Sequence, residues 1–182
     1  SLLNKGIKPE DMLCVTFTDK ASKEMFDSIY GLANKKIPAS EIMKINIQTF
    51  HSFALDYLID NGITVGDVLS ANVWRYAMFQ SLIKNKAFNY EKDYIISDIL
   101  PKVYNSARYI KSFGILPSQI NIADVSKLID GIPPERIKSY DYEQLKAFVK
   151  YFVEAYEYYE NSKGRAIDYN DMLISFLKRS EE

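Results

Sequence analysis

The hydrophobic and polar positions of this chain fall into two regimes. Near the start, Met12-Leu13-Cys14-Val15-Thr16-Phe17 is a short, nearly continuous apolar run behind Pro9-Glu10-Asp11, the pattern of a buried strand of a parallel sheet. Thr18 and Asp19 can then cap a helix whose inner face is Ala21, Met25, Ile29 and Leu32, spaced for 3.6 residues per turn. A second short strand, Ile45-Asn46-Ile47-Gln48, runs into Thr49-Phe50-His51-Ser52 and a helix through Phe53, Leu55 and Leu58. Two strand-to-helix crossovers imply an α/β sheet, yet two strands alone are marginal, so the rest of that sheet is expected elsewhere.

From about Asp60 to Lys163 the pattern is helical only. Trp74, Ala77, Met78 and Leu82 mark one helix. Ile99, Val103, Ala107 and Ile110 mark another, with Ser97 ahead of it, Pro101 in its first turn and Gly114 at its stop. Asn121 and Gly131 bracket a shorter helix. The longest runs from about Asp141 to Asn161 and places Leu145, Phe148, Val149, Phe152, Val153, Tyr156 and Tyr159 on one broad face. After Gly164, Asp168-Tyr169-Asn170-Asp171 opens a last amphipathic helix through Met172, Leu173, Phe176 and Leu177. The predicted fold class is therefore mainly α with a small parallel β part.

Composition narrows the chemistry only slightly. The 182 residues are 47% hydrophobic, enough for one ordinary core or two small ones. Lys+Arg 23 against Asp+Glu 24 leaves a net charge of −1, so any polyanion-binding surface must be local. One cysteine, Cys14, excludes an intramolecular disulfide framework and a cysteine-rich zinc site. No apolar stretch approaches the roughly 20 residues of a membrane span and no signal peptide is visible, which predicts a cytoplasmic protein without a membrane partner. Ser1-Leu2-Leu3-Asn4-Lys5-Gly6 reads as the last turn of a helix closed by glycine, and Ser180-Glu181-Glu182 stops just after a helix. Both ends read as cut from a longer chain.

Three stretches could carry chemistry, and each has a structural reading beside the functional one. Phe17, Thr18 and Asp19 follow a strand at its carboxyl end, where open α/β sheets place ligands. There a helix N-terminus can hold phosphate and an exposed ring can stack on an unpaired base; alternatively Phe17 is core and Asp19 only a cap. Thr49, Phe50 and His51 hold the only histidine of the chain at a similar turn. One histidine builds no metal site, whereas hydrogen bonding to phosphate or base suits both imidazole and hydroxyl; alternatively the histidine is satisfied by local packing. For Asp168 and Asp171 capping of a helix N-terminus is the better reading than a metal or general-base site, and the tyrosines Tyr151, Tyr156, Tyr158 and Tyr159 read as core and interface.

Val15-Thr16-Phe17-Thr18-Asp19-Lys20-Ala21-Ser22-Lys23-Glu24-Met25 resembles motif Ia of the UvrD/Rep-type helicases, typically TFTNKAAxEM. Ile47-Gln48-Thr49-Phe50-His51-Ser52-Phe53 is similar to the family's TFHS element, and Asp168-Tyr169-Asn170-Asp171-Met172-Leu173 to the DFDDLL-like stretch that precedes its Walker B strand. The three occur in the family's order. The resemblance implies an incomplete RecA-like (P-loop NTPase) motor-domain piece, residues 1–59 and 164–182, interrupted by an all-helical insertion subdomain, residues 60–163. It implies a parent protein that hydrolyses ATP with magnesium and moves along single-stranded DNA, 3′ to 5′, opening duplex junctions together with a second motor domain.

No GK[ST] occurs in the sequence, so the phosphate-cradling loop is expected ahead of Ser1, and the acidic Walker B stretch after Glu182. These residues should then hold no catalytic group and no bound cofactor, and be inactive alone. The DNA-facing residues implied by the resemblance are Phe17, Thr18, Asp19, Thr49, Phe50 and His51. The chain departs from the family pattern at Asp19, where asparagine is usual, and at Ser22, where alanine is usual; an unpaired aspartate repels phosphate. The alternative is a helical interaction module of a helicase-nuclease or helicase-like protein that does not unwind. A DNA track would need several of Lys20, Lys35, Lys36, Arg108, Lys111 and Arg136 on one face.

Overall fold

The structure is a computed structural model and describes residues 2, 5–85, 90–137 and 141–181. The helix end expected at Ser1 to Gly6 rests partly on Ser1, Leu3 and Asn4, and the chain end on Glu182, which lie outside the described residues. The protein is mainly helical with one small parallel sheet, and it divides into two compact units, residues 1–64 with 175–182, and residues 65–174.

In the first unit β1 (Leu13–Thr16) leads through a threonine-capped turn to α1 (Asp19–Ala33), a short α2 (Ala39–Ile42), β2 (Asn46–Thr49) and α3 (Phe50–Asp60). β1 and β2 pair in parallel, with Leu13 opposite Asn46 and Thr16 opposite Thr49. The apolar run is less buried than its composition predicts. Leu13 is exposed, Cys14 and Val15 are half-buried and only Thr16 is buried, because each strand of a two-stranded sheet keeps an open edge.

The helix after it has also turned by about one position from the expected face. Leu32 is 83% exposed, whereas Ala33 is buried beside Ile42 and Ile45, with Phe26 and Ile29 packed against them. Spacing of 29 to 33 keeps one stripe over the small core as well as 29 to 32 does, and the smaller side chain took the inside. Phe53 and Tyr57 of α3 meet Phe176 edge-on, at centroid distances of 5.5 and 5.1 Å.

The second unit contains α4 (Ala71–Lys84), α5 (Lys92–Tyr94), a π-helical turn (Ile95–Ile99), α6 (Leu100–Ser112), α7 (Ile122–Asp130), α8 (Pro134–Ile137), α9 (Tyr142–Ser162) and the start of α10 (Tyr169–Ser180). Asn121 and Gly131 take the expected capping places, and Asp141, expected as the first residue of the long helix, is its N-cap and accepts from Gln144 N–H. Ser97 does not cap. The helix runs through it from Lys92 to Ser112, and its hydroxyl donates to Asp98 instead. Pro101, which has no N–H for the preceding turn, explains the widened π turn at that point. Gly114, at φ 74°, ends α6 as predicted.

The core is built from the predicted stripes. Trp74, Met78 and Leu82 of α4 meet Val103, Tyr104 and Ala107 of α6 and Phe152, Val153, Tyr156 and Tyr159 of α9. Residues 67–69 and 167 close the base of this unit, Leu69 N–H donating to Ile167 at 2.7 Å and Ile167 N–H to Asp67 at 3.0 Å. Gly66 allows that approach, since a Cβ there would stand 2.4 Å from the Arg165 carbonyl oxygen.

Candidate nucleic-acid interface

The carboxyl ends of the two strands carry the first candidate. Each strand ends on a buried threonine, and each following helix opens with a hydroxyl cap. Thr18 Oγ1 accepts from Ala21 N–H at 3.1 Å, and Thr49 Oγ1 accepts from Ser52 N–H at 3.2 Å. Thr16 shares a 2.6 Å hydrogen bond with Ser22, and Thr49 one of 2.9 Å with Ser52. The departure at Ser22 thus has a local use, which its place in the motif did not signal: it ties the strand end to the first turn of α1.

Because Thr16 and Thr49 are paired, the next residue on each strand falls side by side. Phe17 is 83% and Phe50 43% exposed, and their rings lie 5.3 Å apart, tilted by 41°. The reading of Phe17 as core is therefore overturned. Thr18 and Asp19 are exposed beside it, His51 is half-buried in the first turn of α3, and Thr49 is buried under its cap. Asp19 in the first turn of α1 suits the positive end of that helix.

Of the cations of this unit considered for a DNA face, only Lys20 stands next to the strand ends. Lys20 is exposed near Phe17 and 3.7 Å from Glu24. Lys35 and Lys36 follow the far end of α1, which at its 15 residues is about 22 Å long. Lys111 is fully buried, so it belongs to no DNA face.

Lys111 instead occupies the second polar site, at the start of α10. Its Nζ donates to Glu160 at 2.5 Å and to Asp168 and Asp171 at 2.7 Å each. Lys163 donates to Asp171 at 2.7 Å and is paired with Glu160 as well. Trp74 Nε1–H and the Tyr159 hydroxyl both donate to Asp168 Oδ2, at 3.0 and 2.9 Å. Asp168 Oδ1 caps α10 by accepting from Asn170 and Asp171 N–H, while Asp171 Oδ2 accepts from Asp168 N–H. The capping expected of the two aspartates is present, but it uses only part of their capacity.

Burial works to lower the Lys111 pKa, yet the Asp168 charge and the three carboxylate hydrogen bonds outweigh it, so the ammonium is held above its ordinary 10.5. Burial pushes Asp171 up, and the donors from Lys111 and Lys163 more than reverse this, leaving it below 3.8. Burial, and then Asp168, raise the Tyr159 hydroxyl so far that it stays a donor. Glu160, Asp168 and Asp171 stand close enough to resemble a metal site. They do not fit magnesium, because two ammoniums already fill the positions a cation would take. No GK[ST] is present to cradle phosphates either, so these residues do not fit a magnesium nucleotide.

The model of the UvrD/REP helicase N-terminal domain matches residues 1–182. The chain belongs to the UvrD/REP helicase family. It is 30% identical to the ATP-dependent DNA helicase srs2 of Schizosaccharomyces pombe over 97% of this chain and 20% of that protein. It is 26% identical to DNA helicase II of Rickettsia typhi over 95% of this chain and 24% of that protein. A probable DNA helicase of Mycoplasma pneumoniae is 41% identical over 66 residues, 36% of this chain and 12% of that protein. The chain thus spans a quarter or less of the length of these relatives. Among its described residues no helix is long and apolar enough to cross a membrane.

Sequence reasoning within the UvrD/REP motifs did not find Trp74, Lys111, Tyr159, Glu160 or Lys163. Trp74, Lys111 and Tyr159 donate to Asp168 across as many as 94 residues, and Glu160 and Lys163 join through Lys111 and Asp171, links that a local pattern does not mark.

Proposed function

We propose that this chain is part of an ATP-dependent DNA helicase that moves along single-stranded DNA, 3′ to 5′, and unwinds duplex ahead of it. In this reading residues 1–59 and 164–182 belong to the first motor domain and residues 60–163 form its helical insertion. Phe17, Thr18, Asp19, Thr49, Phe50 and His51 line part of the strand's path. ATP and magnesium are held by residues other than these, a second motor domain completes the track, and the 182 residues alone do not hydrolyse ATP.

The observation that supports this best is the register of Thr16 with Thr49, which sets two exposed phenyl rings 5.3 Å apart at the strand ends. Rings in solvent are hydrophobically costly and chemically suited to bases, whose stacking contributes about 1 to 3 kcal/mol each. The test is ATP hydrolysis by the full-length protein, with and without single-stranded DNA, beside Phe17→Ala with His51→Ala. Stimulation by DNA that the double variant loses supports the track. Hydrolysis indifferent to DNA would instead favour a helical interaction module without unwinding.

A further inference from the structure

The strand ends are not the only place where two exposed rings meet. At the end of α6, Tyr109 is 67% and the C-cap residue Phe113 65% exposed, with centroids 5.1 Å apart in an edge-to-face pair at 75°. They extend a stripe that starts at Lys102 and Asn105, both exposed, since positions 102, 105, 109 and 113 share one face of a helix. The opposite face, Val103, Ala107 and Lys111, is buried. Arg108 precedes Tyr109 and lies about 100° around the helix from it; it is exposed and forms no ion pair among the described residues.

Within α6 itself the charge is one-sided, with Asp98 one turn ahead of Lys102 as the nearest carboxylate along the helix. Residues 99–123 contain no aspartate or glutamate, and their cations are Lys102, Arg108 and Lys111. Close to α6, the carboxylates of Glu160, Asp168 and Asp171 are drawn inward by Lys111 and Lys163. The Arg108 carbonyl accepts from Asn170 Nδ2 at 3.2 Å, which ties this end of α6 to the start of α10, and the Ser112 hydroxyl donates to the Tyr109 carbonyl at 2.6 Å. A purely apolar protein partner would have no use for unpaired guanidinium beside the rings. A polyanion with planar groups would use both.

From this juxtaposition we propose that the Tyr109–Phe113 end of α6 is a second contact for single-stranded DNA: Tyr109 and Phe113 stack on a base, and Arg108 meets a flanking phosphate. This rests on the single-strand reading of the strand ends for the identity of the polymer, not for the surface itself.

The experiment uses the full-length protein and a fluorescein-labelled oligothymidylate, read by anisotropy across a salt series. The same oligomer carrying 5-bromodeoxyuridine is photocrosslinked, and the crosslinked peptides are identified. Tyr109→Ala with Phe113→Ala should weaken binding by about 5- to 150-fold, the loss of one stacked base. Tyr109→Phe, which keeps the ring, should bind as the native protein does. Arg108→Gln should lower the slope of log affinity against log salt by about 0.7. Crosslinks should reach Tyr109 or Phe113 as well as Phe17 or Phe50.

Native affinity in the Tyr109, Phe113 double variant, with crosslinks confined to Phe17 and Phe50, overturns the second contact and leaves the first reading standing. With a labelled duplex of the same length as a second probe, a loss seen for the duplex alone overturns the single-strand assignment. Crosslinks on α6 together with native binding by Phe17→Ala, Phe50→Ala keep this contact and overturn the strand-end reading, while no binding at all overturns both.

Discussion

Helix starts in two regions of this molecule use the same local device and end with opposite surfaces. At α1 and α3 a threonine caps the first turn and the neighbouring phenyl rings of Phe17 and Phe50 point to solvent. At α10 an aspartate caps as well, yet the carboxylates of Asp168 and Asp171 are turned inward onto Lys111, Lys163, Trp74 and Tyr159. Both stretches carry family motifs. A motif therefore says where a turn is built, and burial of its neighbours decides whether that turn is left open to a ligand or is a fastening within the unit.

The largest effect should come from breaking the fastening. Lys111→Met leaves Asp168, Asp171 and Glu160 facing Lys163 alone, and removing one partner of a buried ion pair costs about 3 to 5 kcal/mol. A urea midpoint close to native would show that the cluster contributes little. The matching change at the open site, Phe17→Ala with Phe50→Ala, should do the reverse. Affinity of the full-length protein for single-stranded DNA should fall by up to about 150-fold per stacked base, while Phe17→Ala shifts stability by no more than about 0.5 kcal/mol.

Protonation separates the two sites in another way. Asp171 is held below its ordinary 3.8, so its contribution is fully present above that value and is lost as pH falls through the depressed one. Lys111 is held above 10.5, so its contribution is complete below that and is lost only as pH rises through the elevated value. Stability should be level from about pH 5 to 9 and decline below about 4, and Asp171→Asn should flatten the acid decline, as urea midpoints taken across that range would record.

A smaller effect is expected at the shared capping device. Thr18→Ala should cost about 0.5 to 2 kcal/mol, through one orphan N–H at the start of α1. A circular-dichroism melt that does not move would indicate that Ser22 and Thr16 hold the turn without it.

Much of the fold was legible because it rests on short-range rules. The stripes through Trp74, Met78 and Leu82 and through Phe152, Tyr156 and Tyr159 predicted the helical core, and Asn121, Asp141 and Gly114 marked real ends. Ser97 misled because Pro101 widens the helix rather than starting it. Leu32 misled because two positions of α1 satisfied the same periodicity. At the candidate site the sequence located Phe17 and Phe50 but left open whether Phe17 was core, which only its 83% exposure answered.

The sequence by itself determined the element types, the caps and the family motifs, since each depends on residues within a turn or two of one another. Tertiary structure alone decided that Thr16 pairs with Thr49, that the Phe17 and Phe50 rings meet, and that Lys111 is a buried partner of Asp168 rather than a surface cation. Those outcomes depend on which distant groups share a low-dielectric interior, and charge type and spacing along the chain carry no record of that.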